Sequence, residues 1–377
     1  MNTVKIKAIV RKEFYHLIRD FRSLYLAFVI PLLLILLFGY ALSLDVDNIK
    51  TVVVDHDKTY LSRDFIRKLD ASSYFNIANQ LTDTKAVTEY LDNGWTTMAV
   101  IIPPGWTADI NADRETPIQV LLDGSDPNFA GISRGYIMAF VEEYNSQLLL
   151  DFLNRKGMEK IKPPIEGRIR VWFNEDLESR NFIVPGIIAI IIMIVGAMLT
   201  SLVIAREYEN GTMETIRSLP LRGAEFLTGK AIPYFFIGLI DVLVAVLMGQ
   251  MLFGVVMKSS FWLMVLASSV YLFVALSLGL LISVVTKSQL VANQLALLIT
   301  YLPSLLLSDF VFPIVNMPKI LQIITYIVPA RYFIDILNGL YLRNLGLDHL
   351  WPSYMVLAVM FVILTGMNLL VLKKEGM

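Results

Sequence analysis

Six stretches of the chain are apolar over lengths close to or above that of a bilayer crossing: 24–44, 182–205, 231–254, 261–285, 290–307 and 351–372. A helix needs roughly 20 such residues to cross a hydrocarbon core of about 30 Å. Lipid offers no hydrogen-bond partners, so each run must satisfy its own backbone, which a helix does. The 377 residues are 56% hydrophobic and only 17% charged, whereas soluble domains carry about a quarter charged residues. The chain therefore reads as a mainly α membrane protein with six transmembrane helices. Its net charge of −1 provides no field for nucleic acid. The lack of cysteine excludes disulfides and Cys-ligated zinc or iron–sulfur centres. His16, His56 and His349 are too scattered to predict a multi-His metal site. The first run has a spanning length and no small-residue cleavage pattern after it, so it is expected to stay as a span.

The intervals between the runs set the domain plan. Residues 1–22 pattern as an amphipathic interfacial helix. Val4, Ala8, Phe14, Leu17, Ile18 and Phe21 are apolar, and Lys5, Lys7, Arg11, Lys12, Arg19 and Arg22 outnumber Glu13 and Asp20. Such a helix places its cations on anionic membrane lipid. The first transmembrane helix is expected at 23–44, with Pro31 inside it. Residues 45–180 hold most of the charges and are the only stretch large enough for a soluble domain. Strand patterns at 51–55, 97–102, 118–122 and 168–173 alternate with helical ones at 63–69, 85–91 and 126–154, the last stopped by Gly157. That alternation predicts an α/β (α+β) sheet layer. Asp55, Asp57, Asp123 and Asp126 sit at strand ends or turns, where aspartate is commoner as a cap than as a metal ligand.

Six spans put both termini on one side of the membrane. With the N-terminus inside, the inner segments carry Lys5, Lys7, Arg11, Lys12, Arg19, Arg22, Arg206, Arg217, Arg222, Lys230, Lys287, Lys373 and Lys374. The short outer loops carry Lys258, Lys319, Arg331 and Arg343. The positive-inside bias then predicts both termini in the cytoplasm, residues 45–180 outside and the loop 206–230 inside. Residues 181–377 form a five-helix bundle. Pro313, Pro318 and Pro329 break the segment 308–350, whose helical patterns at 317–327 and 332–345 are too short or too polar to span. They read as a re-entrant or surface hairpin on the outer side.

The inner loop carries the candidate functional residues. Arg206, Glu207 and Glu209 precede Gly211, and Thr212, Met213, Glu214 and Arg217 follow before Pro220 stops the helix. Thr212 is expected to cap a short helix, with Glu214 in its positive first turn and Arg217 at its negative end. Met213, Ile216 and Leu219 recur every three residues as one apolar edge. The plainer reading is a cytosolic turn whose charges only fix topology. Gly223 to Lys230 looks like a phosphate loop, but its glycines are one residue too far apart and Ala231 replaces the magnesium-binding hydroxyl. No nucleotide, metal or other cofactor site is expected in this chain. Asn210-Gly211-Thr212 fits a glycosylation sequon that the topology places inside. Ionisable and amide groups within spans are functional candidates by default, here Asp241, Asn293, Gln294 and Asp309.

Three stretches resemble one family. They are Asn181-Phe-Ile-Val-Pro-Gly186, the inner loop from Ala205 through Ser218-Leu-Pro220, and Leu302-Pro-Ser-Leu-Leu-Leu-Ser308 with Phe312-Pro313, Met317-Pro318 and Ile327-Val-Pro-Ala-Arg-Tyr332. With Val120-Leu-Leu-Asp-Gly-Ser-Asp-Pro-Asn128, the chain is similar end to end to the permease subunit of type-2 ABC exporters that carry a large external domain after the first span. The resemblance implies an inner-membrane permease that pairs with a second copy or a paralogue. It implies docking on a separate ABC ATPase dimer, which binds ATP and magnesium, through a coupling helix at Arg206, Glu207, Glu209, Gly211, Thr212 and Glu214. It also implies that an amphipathic, drug-like or lipid-like substrate leaves between the two bundles, often with a periplasmic membrane-fusion adaptor. One departure is Asp309, where the pattern usually has glycine. Two other readings remain: a secondary transporter driven by an ion gradient, which predicts repeats and paired intramembrane charges, and a membrane receptor with an external sensing domain.

Overall fold

The computed structural model describes residues 2–41, 48–112, 114–155, 173 and 178–376. The chain divides into two compact units, Met1–Ser43 with Val171–Met377, and Leu44–Arg170. The first begins with helix α1 (Thr3–Arg19), followed after Asp20 by α2 (Phe21–Ala41). The inward side of α1 keeps only Leu17 of the apolar residues read from the helix. It centres on Ile9, Glu13 and Leu17, while Val4, Phe14 and Ile18 are exposed. The described apolar stretch of α2 is Phe28–Phe38; residues 42–44 of the expected first span lie outside the described residues.

The second unit is a sheet with helices on both faces. It runs β1 (Ile49–Asp55), α3 (Tyr60–Asp70), β2 (Phe75–Leu81), α4 (Thr84–Asp92), β3 (Met98–Ile102), α5 (Trp106–Asn111), β4 (Gln119–Leu122) and α6 (Pro127–Arg155). The strand order is β2-β1-β3-β4, with β1 parallel to both β2 and β3, and β4 antiparallel to β3. Strands buried on both sides read as unbroken apolar runs. Val53, Met98, Val100 and Ile102 enter one core with Phe65, Leu69, Trp106 and Tyr144, and Val52, Val54, Ala99 and Ile101 enter the other with Val87. The sequence pattern misses β2, whose Asn76, Asn79 and Gln80 lie along the sheet edge, and the six-residue α5 after Pro103-Pro104-Gly105. Apart from Phe173, the strand read at 168–173 lies outside the described residues, as does Gly157.

The rest of the first unit is α7 (Arg180–Glu209), α8 (Thr212–Ser218), α9 (Gly223–Phe253), α10 (Phe261–Thr286), α11 (Gln289–Leu306), α12 (Lys319–Ile324), α13 (Pro329–Tyr341) and α14 (Leu347–Lys374). Among the described residues, α7, α9, α10, α11 and α14 are long and apolar enough to cross a membrane. A further segment, Lys319–Ile327, bends by 84° into α13 at a one-residue break before Pro329. Helix α7 is buried on nearly every side, against α2, α9, α10, α11 and α13. It meets α10 so closely that a Cβ at Gly279 would overlap the Ala197 carbonyl and Thr200. Between membrane helices, small residues and interhelical hydrogen bonds give the specificity that apolar contact alone does not. Thr200 Oγ1 donates to the Leu276 carbonyl at 3.0 Å, Ser283 Oγ accepts from Ala205 N at 2.8 Å, and Asn368 Nδ2 donates to the Ser277 carbonyl at 2.8 Å.

Candidate functional site

The connection between α7 and α9 is tighter than the loop expected at 206–230. Arg206–Glu209 form the last turn of α7, and Gly223–Lys230 the first two turns of α9. Only 210–222 lies between the two long helices, with α8 inside it. The chain reverses at Gly211, which has φ +70° and stands at the N-cap of α8. A residue with a Cβ is strained in that region, so glycine is the natural occupant. Thr212 therefore does not cap α8. It is the first helical residue, and its hydroxyl donates to the carboxylate and the backbone carbonyl of Glu207. Glu214 and Arg217 do fall in the first and last turns. The apolar edge is incomplete: Met213 is buried and Ile216 packs on the core, but Leu219, already extended as the C-cap, is half exposed.

The residues around α8 form a charged cluster drawn from the whole unit. Lys230, on the second turn of α9, is 1% exposed and sits between two carboxylates. Its Nζ is 2.5 Å from Glu207 Oε1 and 2.8 Å from Glu13 Oε1. The Glu13 contact is a charge pairing by distance, without the angle of a hydrogen bond. Lys12 adds a second cation at 2.7 Å from Glu207, at the exposed rim. Two lysines thus balance two carboxylates, which makes the burial tolerable, since a lone buried charge costs far more than a compensated one. Helix α1 is stapled along its length to this region. Asn2 N donates to Glu225 at 2.7 Å, Lys5 Nζ to the Pro220 carbonyl, and Arg206 bonds Asp20 and His16, each at 3.1 Å.

On the other side, Arg217 of α8 donates to Glu375 at 2.7 Å and to the Tyr208 hydroxyl at 3.1 Å. Lys287 donates to the same Glu375 carboxylate at 2.7 Å. That pairing holds the Glu375 carboxyl below the ordinary carboxylate range: the Lys287 hydrogen bond lowers it most, outweighing desolvation, with Arg217 adding to it. Glu209 accepts from Gln289 N at 2.8 Å and Gln289 Nε2 at 2.5 Å. The structure thus gathers Arg206, Glu207, Glu209, Thr212, Met213 and Arg217 as the frame of the site, with Gly211 as its reversal and Glu214 facing out. The sequence reading did not single out Glu13, Lys12, Lys230, Tyr208, Lys287, Gln289 or Glu375 for this site. Lys230 carried a weak signal, being the cation that directly precedes the apolar run 231–254.

The four residues singled out within spans do not converge. Asp241 on α9 is buried within its own unit, and no charged partner faces it among the described residues. Asn293 and Gln294 lie at the start of α11, the first half-buried with an unbonded Oδ1, the second exposed. About 20 Å of helix separates them from the far end of α11. Beyond that end is Asp309, exposed, with φ +71°. That left-handed conformation explains why glycine suits the position, and Asp309 meets it by accepting from Ile314 N at 2.7 Å. Among the described residues no group of three or more His, Asp or Glu side chains is arranged to hold a metal ion. Gly223–Lys230, the stretch resembling a phosphate loop, is helix, with Gly229 against Ile9.

A bundle of long apolar helices, with a short amphipathic helix pinned between two of them at one end, defines a multi-pass membrane protein. Residues 21–370 match the family described as "ABC-2 family transporter protein", and the chain belongs to that family as a type-2 ABC permease. It is 35% identical over 361 residues to the "Probable multidrug ABC transporter permease YbhS" of Escherichia coli (strain K12), covering 95% of this chain and 93% of that protein. It is 28% identical over 355 residues to the "Probable multidrug ABC transporter permease YbhR" of the same strain, covering 94% of each. It is 29% identical over 274 residues to the "Inner membrane transport permease YhhJ", covering 71% of this chain and 70% of that protein.

Proposed function

We propose that this chain is the membrane subunit of an ATP-driven exporter for amphipathic or hydrophobic molecules, drug-like or lipid-like. The reading of the substrate follows the multidrug names of two relatives. The observation that carries the reading of mechanism is α8. Its Glu214, Thr215 and Ser218 are exposed, while its other contacts run to α7 and the end of α14. A partner that pushes on that open edge moves several spans at once. In this reading the partner is an ABC ATPase dimer that holds ATP and magnesium, and α8 is the coupling helix. Glu214 is a contact with the ATPase, whereas Glu207, Glu209, Arg206 and Arg217 shape the lever from within. Both termini and α8 face the cytoplasm of an inner membrane. Helix α2 is the first of six spans, the α/β unit lies outside, and 308–350 forms an outer hairpin. The exposed apolar side of α1, with Val4, Phe14 and Ile18, rests on lipid.

Two permeases, identical or paralogous, form the path, and α11 with Asn293 and Gln294 contributes to its wall. Asp309 stands at its outer end, and Asp241 acts within one bundle. An adaptor of the membrane-fusion type docks on the outer unit. The test is co-purification with the cognate ATPase and ATP hydrolysis in nanodiscs, for the wild type and for Glu214→Arg with Thr215→Arg. Retention of the ATPase by the wild type and its loss in the double variant support the reading. A permease that binds no ATPase yet moves substrate on an ion gradient would make it a secondary transporter and return attention to Asp241. Ligand binding without transport would make it a receptor.

A further inference from the structure

We infer that Glu375 is a positioning residue that ties α8 to the turn between α10 and α11, so that movement of α8 is passed to α11; this rests on the exporter reading above. One carboxylate bridges two cations from different parts of the unit. Arg217 of α8 donates to Glu375 Oε2 and Lys287 to Oε1, each at 2.7 Å. Both cations also stand over the Tyr208 ring, with centroid distances of 5.5 and 5.2 Å. Without Glu375, two like charges would remain against one aromatic ring with no carboxylate between them, and α8 would lose its charged link to the α10–α11 turn.

The turn itself is built to be held. Lys287 closes α10 with φ +57°, a conformation that a non-glycine residue keeps only where its surroundings impose it. Two residues later, Glu209 of α7 accepts from the first backbone N–H of α11 and from the Gln289 side chain. The N-terminus of α11 is therefore gripped from two sides, by α7 through Glu209 and by α8 through Glu375 and Lys287. Along its length, by contrast, α11 buries only Ala292, Ala296, Thr300 and Ser304. These small side chains, with half-buried Tyr301 and Leu305 beside them, make a close but shallow seam, along which α11 shifts once its end is pulled. Helix α14 supplies the fulcrum, since Glu375 is its C-cap.

The chain has no cysteine, which permits site-specific spin labels without background. Labels at Leu247→Cys on α9 and Leu298→Cys on α11, both exposed, report the displacement of α11. The assembled permease and ATPase in nanodiscs are compared without nucleotide and with vanadate-trapped ADP. The distance is expected to shift in the otherwise unchanged chain. In Glu375→Gln and in Lys287→Gln the shift should shrink by at least about twofold although nucleotide is still trapped, and Glu375→Asp should restore it. A full shift in both glutamine variants overturns the inference, as does an unmoved α11 in the parent chain with nucleotide trapped. Should Glu375→Gln not assemble, Lys287→Gln, which leaves the Arg217 pairing, decides alone. Failure of the parent chain to hold the ATPase at all counts against the exporter reading instead.

Discussion

The α/β unit and the charged cluster around α8 are specified by different forces. In the α/β unit, a two-residue period sorts Val52 and Val54 to one face and Val53 to the other, and helices cover both. Burial of apolar surface drives that choice, because the alternative is water. Its polar contacts are largely turn chemistry, such as Asp55 accepting from Asp57 N and Lys58 N, or Asp57 from Thr107. In the helical unit around α8 the order is reversed. The helices are apolar nearly all round, and lipid is as apolar as a neighbouring helix, so hydrophobicity chooses little. Ion pairs and hydrogen bonds between residues up to 223 positions apart, with close glycine contacts, select the arrangement instead. An error of one charge in this cluster therefore costs more in specificity than an error of one methyl group.

Breaking the buried cluster is the most severe test. Lys230→Ala leaves Glu13 and Glu207 enclosed without their shared cation, and a loss of roughly 3–5 kcal/mol is expected. Thermal unfolding of the purified permease in lipid nanodiscs measures it. Ile102→Ala, in the sheet core, should cost roughly 2–5 kcal/mol. It should do so as faster hydrogen exchange in β1 and β3 of the full chain, with α8 unaffected. Gly279→Leu forces α7 and α10 apart at a cost of roughly 1–3 kcal/mol, visible as a lower melting temperature that Gly279→Ala only partly reproduces. Lys12→Ala removes the exposed cation of the same cluster and should cost no more than about 1 kcal/mol. If it proved as harmful as Lys230→Ala, burial would not be what separates the two lysines.

The smallest effect is one of pH. The Glu375 carboxyl is held below its ordinary range, first by the Lys287 hydrogen bond. Its contribution is thus present above the pH at which a free glutamate titrates, and is lost as pH falls through the lowered value. Accelerated hydrogen exchange at Arg217 and its neighbours should appear only in that acid window, whereas Glu375→Gln should exchange fast at neutral pH already and show no acid step.

The long helices were readable because each apolar run exceeds what a soluble helix needs, and five of them stand among the described residues with ends no more than eight residues from those expected. The sheet was readable where β-branched residues cluster, as in Thr51 to Val54, and unreadable at β2, where Asn76, Asn79 and Gln80 lie along the sheet edge. The inner loop was recognisable by its residues but not by their roles. Glu207 reads as a surface acid, and only burial against Lys230 turns it inward. Thr212 reads as a cap, but the reversal at Gly211 already occupies that position.

The sequence by itself determined the apolar runs, the alternation of strands and helices, the reversal between α7 and α9, and the family. Helical and strand periods are properties of neighbouring residues, and water or lipid acts on them locally. Only the tertiary structure decided that Lys230 lies between Glu13 and Glu207, that Glu209 caps α11, and that Glu375 joins Arg217 to Lys287. A helical period says which residues share a face but not which helix that face will meet. Among helices that are apolar all round, that pairing is settled by a few charges and close contacts far apart along the chain.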